Sequence, residues 1–398
     1  MKNSVWALLR LFFVLKGIQL AIVYFTPAQF DTSSQLNQHH LHSPYGRVVT
    51  RILNKLAAWD AVYFNDLFVN GISYEHQFVF CPAWIKLVEI LVPSRASYYQ
   101  AQLWSTLISN LCHLASCIML YLVTTDVFRN DKVIAHRVAL MMIISPAGIF
   151  LTANYSENLS NLLTITAIYC YYLSMDFQDI RTRSNQSIKS VALYIMSGVL
   201  IALNYTVRAN GLLMGVIYVF DLYHFLILDS NFSESLVTIF TGSLLAATLL
   251  AQNMYHYFLF CPQRQGWCNH TVPSLFRFAQ SHYWNNGFLA YWSRNNIPNF
   301  LLAGPVIAWN IFSIKQIYNI LPQYKKLASI TAINFILTVL AIFFLNVQIV
   351  NRVTSFSPLL YWVAALNYQR WWFKYVLSYL VAWNLLQTGL FAAFLPPA

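Results

Sequence analysis

Long apolar runs separated by polar segments constrain this chain more than any other feature. Trp6–Phe25 and Leu103–Val123 each approach the roughly 20 residues that carry an α-helix across a bilayer. Further runs cover Val138–Leu151, Leu159–Met175, Val191–Tyr205, Leu212–Leu228, Leu236–Phe260, Leu301–Ile317, Leu327–Val350, Leu359–Leu366 with its flanks, and Tyr375–Leu395. Of 398 residues, 58% are hydrophobic and only 9% are charged, against about 25% charged in a soluble domain. The expectation is an all-α polytopic membrane protein, one integral domain over residues 1–398 with about eleven spans. Trp6–Phe25 reads as an uncleaved first span, interrupted by Arg10 and Lys16, which either snorkel or face the bundle.

The net charge of +11 would point a soluble chain toward nucleic acid. Here the basic residues are scattered between spans without a basic helix, so topology and phosphate contacts account for them, and no nucleic-acid partner is expected. Short loops rich in Lys and Arg follow the second, fourth, eighth and tenth runs, and that set is expected on the cytosolic side. The luminal side then receives a first loop, Thr26–Gln102, together with Thr152–Asn158, Thr206–Gly211, a second large loop Cys261–Asn299, and Asn351–Pro358. Every unusual polar cluster therefore falls on one face. The apolar runs Val138–Leu151 and Leu159–Met175, broken by Thr152–Asn158, are short, and short or broken membrane helices line protein or water rather than lipid.

The stretch Leu56–Trp84 sets Asp60, Asp66 and Glu75 beside Trp59, Tyr63, Phe64, His76 and Pro82. Carboxylates are costly near lipid, so a cluster at a membrane edge points to a site. A basic amphipathic piece, Val48–Ala58, precedes it and suits an interfacial helix with Asp60 at its end. Asp60 is expected either to cap a helix or to act as a general base that takes the proton of a sugar hydroxyl. A lipid phosphate leaves readily, so one base suffices for an in-line, inverting transfer. Glu75 orients Asp60 or an acceptor, or pairs with a loop arginine.

Other candidates carry equally open readings. Glu157, in NYSENLSN, binds sugar hydroxyls or belongs to a polar turn. Arg208 and Arg352, at luminal span ends, recognise a donor phosphate or anchor the spans. Trp59, His76, Trp284 and Asn285 are sugar- or acceptor-binding candidates, because rings cover apolar sugar faces while amides bond hydroxyls. An interfacial aromatic belt is the competing account. Cys261 and Cys268 share one polar loop and form a disulfide if it faces an oxidising lumen. No metal pattern is seen; His39, His40 and His42 read as a solvated loop. Asn269 is the one glycosylation sequon both luminal and clear of the membrane, with Cys268 adjacent.

Five ordered motifs resemble the PIG-V family of GPI mannosyltransferases, in a fungal form. They are WDAVYF with YEHQFVFCPAW; SPAGIFLTANYSENLSN; VRANGLL; GWC with FAQSHYWNNGFLAYWSRNNIPNFLLAGPV; and NRVTSFSPLLYW. The resemblance implies a GT-C glycosyltransferase-like bundle in the endoplasmic reticulum membrane, with a luminal active site and interfacial helices in the first loop. It implies transfer of the second mannose, α-1,6-linked, from dolichol-phosphate-mannose to a GPI lipid intermediate. It implies no cofactor beyond that donor, and it implies an accessory membrane subunit as a partner. It also favours Asp60 as base and strengthens Glu75. Phe80-Cys81-Pro82 departs from the family's usual FFP, which leaves the role of Cys81 open.

Alternatives are another transferase using the same donor, a transporter or scramblase of lipid-linked sugars, and a non-catalytic subunit. The transporter reading calls for midplane ionisable groups, for which Asp221 and His224 are the candidates.

Overall fold

The computed structural model describes residues 2–31, 41–80, 82–93, 96–176, 182–183, 187–261, 266–320 and 325–396. His39, His40 and Cys81 lie outside these. The described residues form helices α1 (Lys2–Phe25), α2 (Arg47–Leu56), α3 (Asp60–Asn70), α4 (Pro82–Leu91), α5 (Tyr98–Val127), α6 (Lys132–Ile143), α7 (Glu157–Ser174), α8 (Ile188–Val207), α9 (Val216–Tyr223), α10 (Phe232–Phe260), α11 (Leu275–His282), α12 (Ile297–Ile320), α13 (Ala328–Phe343), α14 (Leu359–Leu366) and α15 (Phe373–Ala392). One departure from an all-helical chain is a two-residue antiparallel pair, Met175 opposite Arg183 and Asp176 opposite Thr182.

Among the described residues, six helical segments are long and apolar enough to cross a membrane, against the eleven spans expected. They are Trp6–Phe25, Tyr98–Val127, Ile188–Val207, Ala209–Leu228, Phe232–Phe260 and Arg294–Ile320. The difference has a physical cause. Leu359 through Ala365 of α14 are all buried, so their apolarity answers to protein neighbours rather than to lipid. The chain is a multi-pass membrane protein.

Between α6 and α7 the chain leaves α-helical geometry over Ile144–Ser156, with one 3-10 turn at Gly148–Leu151, deep in the bundle. Backbone groups there have no water to turn to, so each needs a protein partner. Side chains of α1, α5 and α15 supply many of them. Asn384 donates to the carbonyls of Ile144 and Ser145, both at 3.0 Å, and Trp383 to that of Pro146 at 2.9 Å. Lys16 reaches the Leu151 carbonyl at 2.8 Å and Thr152 Oγ1 at 2.7 Å, so it faces the bundle rather than snorkelling. Asn110 donates to the Thr152 carbonyl and Ser109 to that of Tyr155. Gly148 sits at φ 49°, with the Gln387 amide packed where a Cβ would stand, so no other residue fits without moving that amide.

The polar segments expected on one face do meet there, as the site contacts below show. At the other end, Arg137 lies 3.3 Å over the Tyr368 ring and the Tyr172 hydroxyl donates to the Lys326 carbonyl. Asp221 is fully buried and accepts from the Tyr171 and Tyr194 hydroxyls at 3.0 and 2.9 Å, tying α7 and α8 to α9. His224 is paired with Asp229 at 3.0 Å.

Candidate active site

The amphipathic helix α2 ends at Leu56, and the chain turns sharply before α3 begins at Asp60. Trp59 makes that turn with φ 56° and ψ −132°, a conformation costing of order 1–3 kcal/mol for a residue with a side chain. Tyr155 holds it. Its hydroxyl donates to the Ala58 carbonyl at 2.9 Å and accepts from the Ala61 N–H at 3.3 Å. The Trp59 ring lies against Phe394, 5.5 Å between centroids. The strained turn sets Asp60 at the first position of α3, where the positive end of the helix dipole favours a carboxylate.

Asp60 Oδ2 accepts from Arg352 Nη1 at 2.7 Å. Arg352 extends its other edge to Glu157, with Nε and Nη2 each 2.6 Å from Oε1. The same oxygen is 3.0 Å from Arg208 Nη1, which also donates to Ser156 at 3.3 Å. A chain of alternating charge thus runs Asp60–Arg352–Glu157–Arg208, formally neutral. The Arg352 guanidinium packs against an edge-to-face aromatic pair, 4.6 Å from the Phe150 centroid and 4.8 Å from that of Tyr155. Side-chain exposure separates the roles: 30% for Asp60 and 16% for Arg208, but 9% for Arg352 and 2% for Glu157. Asp60 is the most open member, and Glu157 is the buried anchor.

The exposed edge of Asp60 opens into a cavity of about 1280 Å³. Trp59, Asp60, Arg208, Arg352 and Trp284 line it, as do Leu337, Leu340 and Phe344 of α13 and its end. Much of its roof is the segment from His270 to Phe288.

Glu75 and His76 stand outside that lining. Glu75 accepts from Tyr283 at 2.9 Å and from Trp267 Nε1 at 3.4 Å, so it pins the first polar loop to the roof segment. Burial and the neighbouring Glu75 push the Tyr283 phenol up, which keeps it a donor. His76 packs among the rings of Tyr74 and Tyr283, at 5.9 and 5.2 Å. Asn285 turns back on its own loop, donating to the Ala290 carbonyl at 3.4 Å, whereas Asn286 lines the cavity. Cys261 and Cys268 form a disulfide that closes the turn carrying Trp267. Asn269 beside it is exposed.

Sequence reasoning placed Asp60, Glu157, Arg208 and Arg352 on one face but not in one chain of contacts, and it passed over Tyr155. The signal was two residues from Glu157: an aromatic hydroxyl inside a polar turn flanked by short apolar runs. Tyr155→Phe keeps the ring against Arg352 and removes both hydrogen bonds to the Trp59 turn. The expected result is a kcat lowered about tenfold with KM near wild type and the protein still folded. Steady-state kinetics on purified protein check it, and an unchanged kcat removes the positioning role.

Comparison with known proteins places this chamber in an integral-membrane glycosyltransferase. The sequence profile described as Mannosyltransferase (PIG-V) matches residues 5–398. GPI mannosyltransferase 2 of Candida albicans is 55% identical over 99% of this chain and 100% of its own. The proteins of that name from Yarrowia lipolytica and Saccharomyces cerevisiae are 33% and 34% identical, each over 98% of this chain and 98% and 99% of their own. The chain belongs to the PIG-V mannosyltransferase family, and these relatives are fungal. Among solved structures, the archaeal oligosaccharyltransferase AglB from Archaeoglobus fulgidus, in complex with an inhibitory peptide and a dolichol-phosphate, aligns with a TM-score of 0.47 and 13% identity. The alignment covers 98% of this chain and 55% of that one, so the chain spans about half its length.

Proposed function

We propose that this protein transfers mannose from dolichol-phosphate-mannose to the first mannose of a GPI-anchor precursor, forming an α-1,6 link on the luminal side of the endoplasmic reticulum membrane. The observation that carries this is the half-exposed Asp60 at the cavity wall, backed by Arg352, Glu157 and Arg208. The family and the names of the fungal relatives support the substrate class.

In the proposed reaction the acceptor hydroxyl oxygen attacks C1 of the donor mannose, on the face opposite the phosphate. The hydroxyl proton passes to Asp60, and the C1–O bond to phosphate breaks. Dolichyl phosphate leaves with the bonding electron pair and one more negative charge than it held as a diester. Charge balance favours this use of the site. As Asp60 takes the proton it ceases to neutralise Arg352, just as the leaving phosphate needs a cation. A fixed guanidinium released at that moment stabilises the transition state more than the ground state. Arg208, part-exposed on the same wall, is the second phosphate contact. Glu157 holds both arginines in place, and Glu75 with His76 positions the roof against the first loop. Trp59 and Trp284 offer faces to the sugars. The scheme needs no resident cofactor, and an accessory membrane subunit is compatible with it.

The test is transfer by purified protein from dolichol-phosphate-mannose to a mono-mannosylated GPI lipid. The expected product is a di-mannosylated lipid whose new sugar is released by an α-1,6-specific mannosidase. Transfer only to a different glycan overturns the acceptor. Failure to consume this donor while another lipid-linked sugar is used overturns the donor.

A further inference from the structure

A second compartment lies behind Arg208. It is a groove of about 270 Å³, separated from the main cavity by residues that line both, Arg208, Ala209 and Leu212 among them. Its far wall is the last part of α10. That helix presents apolar side chains outward, with Leu250, Met254 and Phe258 exposed. Toward the groove it presents Gln252, Asn253 and His256, spaced to share one helix face. A polar stripe on a membrane-crossing helix is retained only where it has work to do.

Two of the three are unspent. Gln252 Oε1 is buried without a hydrogen-bond partner. The His256 ring is 6% exposed, packs against Phe78 at 5.2 Å, and makes no hydrogen bond among the described residues. Asn253 is committed, donating to the Pro273 carbonyl at 2.7 Å, which fixes this face of α10 against the roof segment. Arg208 bonds Glu157 and Ser156 through Nη1, and its five-donor fork has more to offer. An amide, an imidazole and a guanidinium around one small space match a ligand with several hydroxyls and an anionic group. Phe78, Val79, Leu249 and Phe276 complete the walls and suit the apolar faces of sugar rings.

We infer that this groove binds the hydroxylated, phosphate-bearing headgroup of the lipid acceptor. The inference rests on the transfer reaction proposed above and adds where the acceptor sits. The donor occupies the main cavity, and the acceptor reaches Asp60 past Arg208. Each lipid-borne substrate then has its own compartment, and the reacting atoms meet at the shared wall.

Gln252→Leu, His256→Phe and the double variant test this without touching the charged chain. Each single variant is expected to raise the acceptor KM about three- to tenfold, with donor KM and kcat within twofold. A soluble glucosaminyl-inositol phosphate should bind wild-type protein, compete with acceptor rather than donor, and lose binding in the double variant. A raised donor KM, or no change in either KM, overturns the assignment. The binding measurement does not depend on turnover. Absent binding beside intact transfer sinks the groove alone, and intact binding beside absent transfer sinks the proposed reaction alone. If a variant fails to fold, fragment binding and competition on wild-type protein still decide.

Discussion

Asp60→Asn should abolish measurable mannosyl transfer while leaving a folded, membrane-inserted protein. The amide is nearly isosteric and still offers Arg352 an oxygen acceptor, but it cannot take a proton from the attacking hydroxyl. Loss of a positioned general base costs about 10²–10⁴ in rate. Loss of the negative charge also leaves Arg352 permanently short of one counter-charge, so the switch in charge balance disappears as well. Stability should move little, because Asp60 is the most solvated member of its chain and Arg352 keeps Glu157 at 2.6 Å. Asp60→Glu makes a sharper probe. It retains the charge and the base but pushes the carboxylate outward by one methylene, from a turn whose geometry Tyr155 fixes at both Ala58 and Ala61. Its expected loss is about a hundredfold. Substrate KM values should stay within a few-fold for both. More than a tenth of wild-type activity in Asp60→Asn, measured beside a matched thermal melt, would remove Asp60 from the chemistry.

How much of this was readable in advance differs from residue to residue. Hydropathy marked the long spans because lipid contact demands an unbroken apolar surface, and it also marked Leu359–Leu366, where burial in protein makes the same demand. The distribution of Lys and Arg gathered the polar segments on one face, and Asp60 and Arg352 do meet across 292 positions of sequence. That Glu157 lies beneath the arginines rather than in the cavity depends on where α7 starts relative to α3, which no local pattern encodes. The turn at Trp59 was invisible for a different reason. Positive φ is usually signalled by glycine or asparagine, whereas here a tryptophan is held there by a tyrosine almost a hundred residues away. The sequence marks a break at Thr152–Asn158 but reads Ile144–Leu151 as part of an apolar run, whereas the α-helix already ends at Ile143. The partners of the irregular Ile144–Ser156 segment, Lys16, Asn110 and Asn384, come from helices scattered along the chain, and each reads locally as an isolated polar residue in an apolar run.

The largest stability effect should come from Glu157→Gln. Glu157 is 2% exposed and neutralises two arginines through one oxygen, while its own Oε2 is buried without a partner. Breaking a buried pair from one side leaves an uncompensated charge and costs about 3–5 kcal/mol. Arg352→Gln should cost a comparable amount, because it strands Glu157 against Arg208 alone and frees Asp60. The double variant Glu157→Gln/Arg352→Gln removes one charge of each sign and leaves the site neutral, with Asp60 toward the cavity and Arg208 part-exposed. It should therefore cost less than the sum of the two single variants, by a coupling of about 0.5–3 kcal/mol. Activity should follow a different order. Glu157→Gln retains some transfer, since Arg352 still faces Asp60, whereas both variants lacking Arg352 are inactive however stable they are. Arg352→Lys divides charge from shape: a lysine cannot span Asp60 and Glu157 as the planar guanidinium does, so activity should fall about tenfold or more even though a cation remains. Thermal melts and transfer rates on the same purified samples give both orders. A double variant whose cost equals the sum of the two singles would show that Glu157 and Arg352 are not energetically coupled. A double variant that is stable and active would show that the charge chain serves the fold and not the transfer.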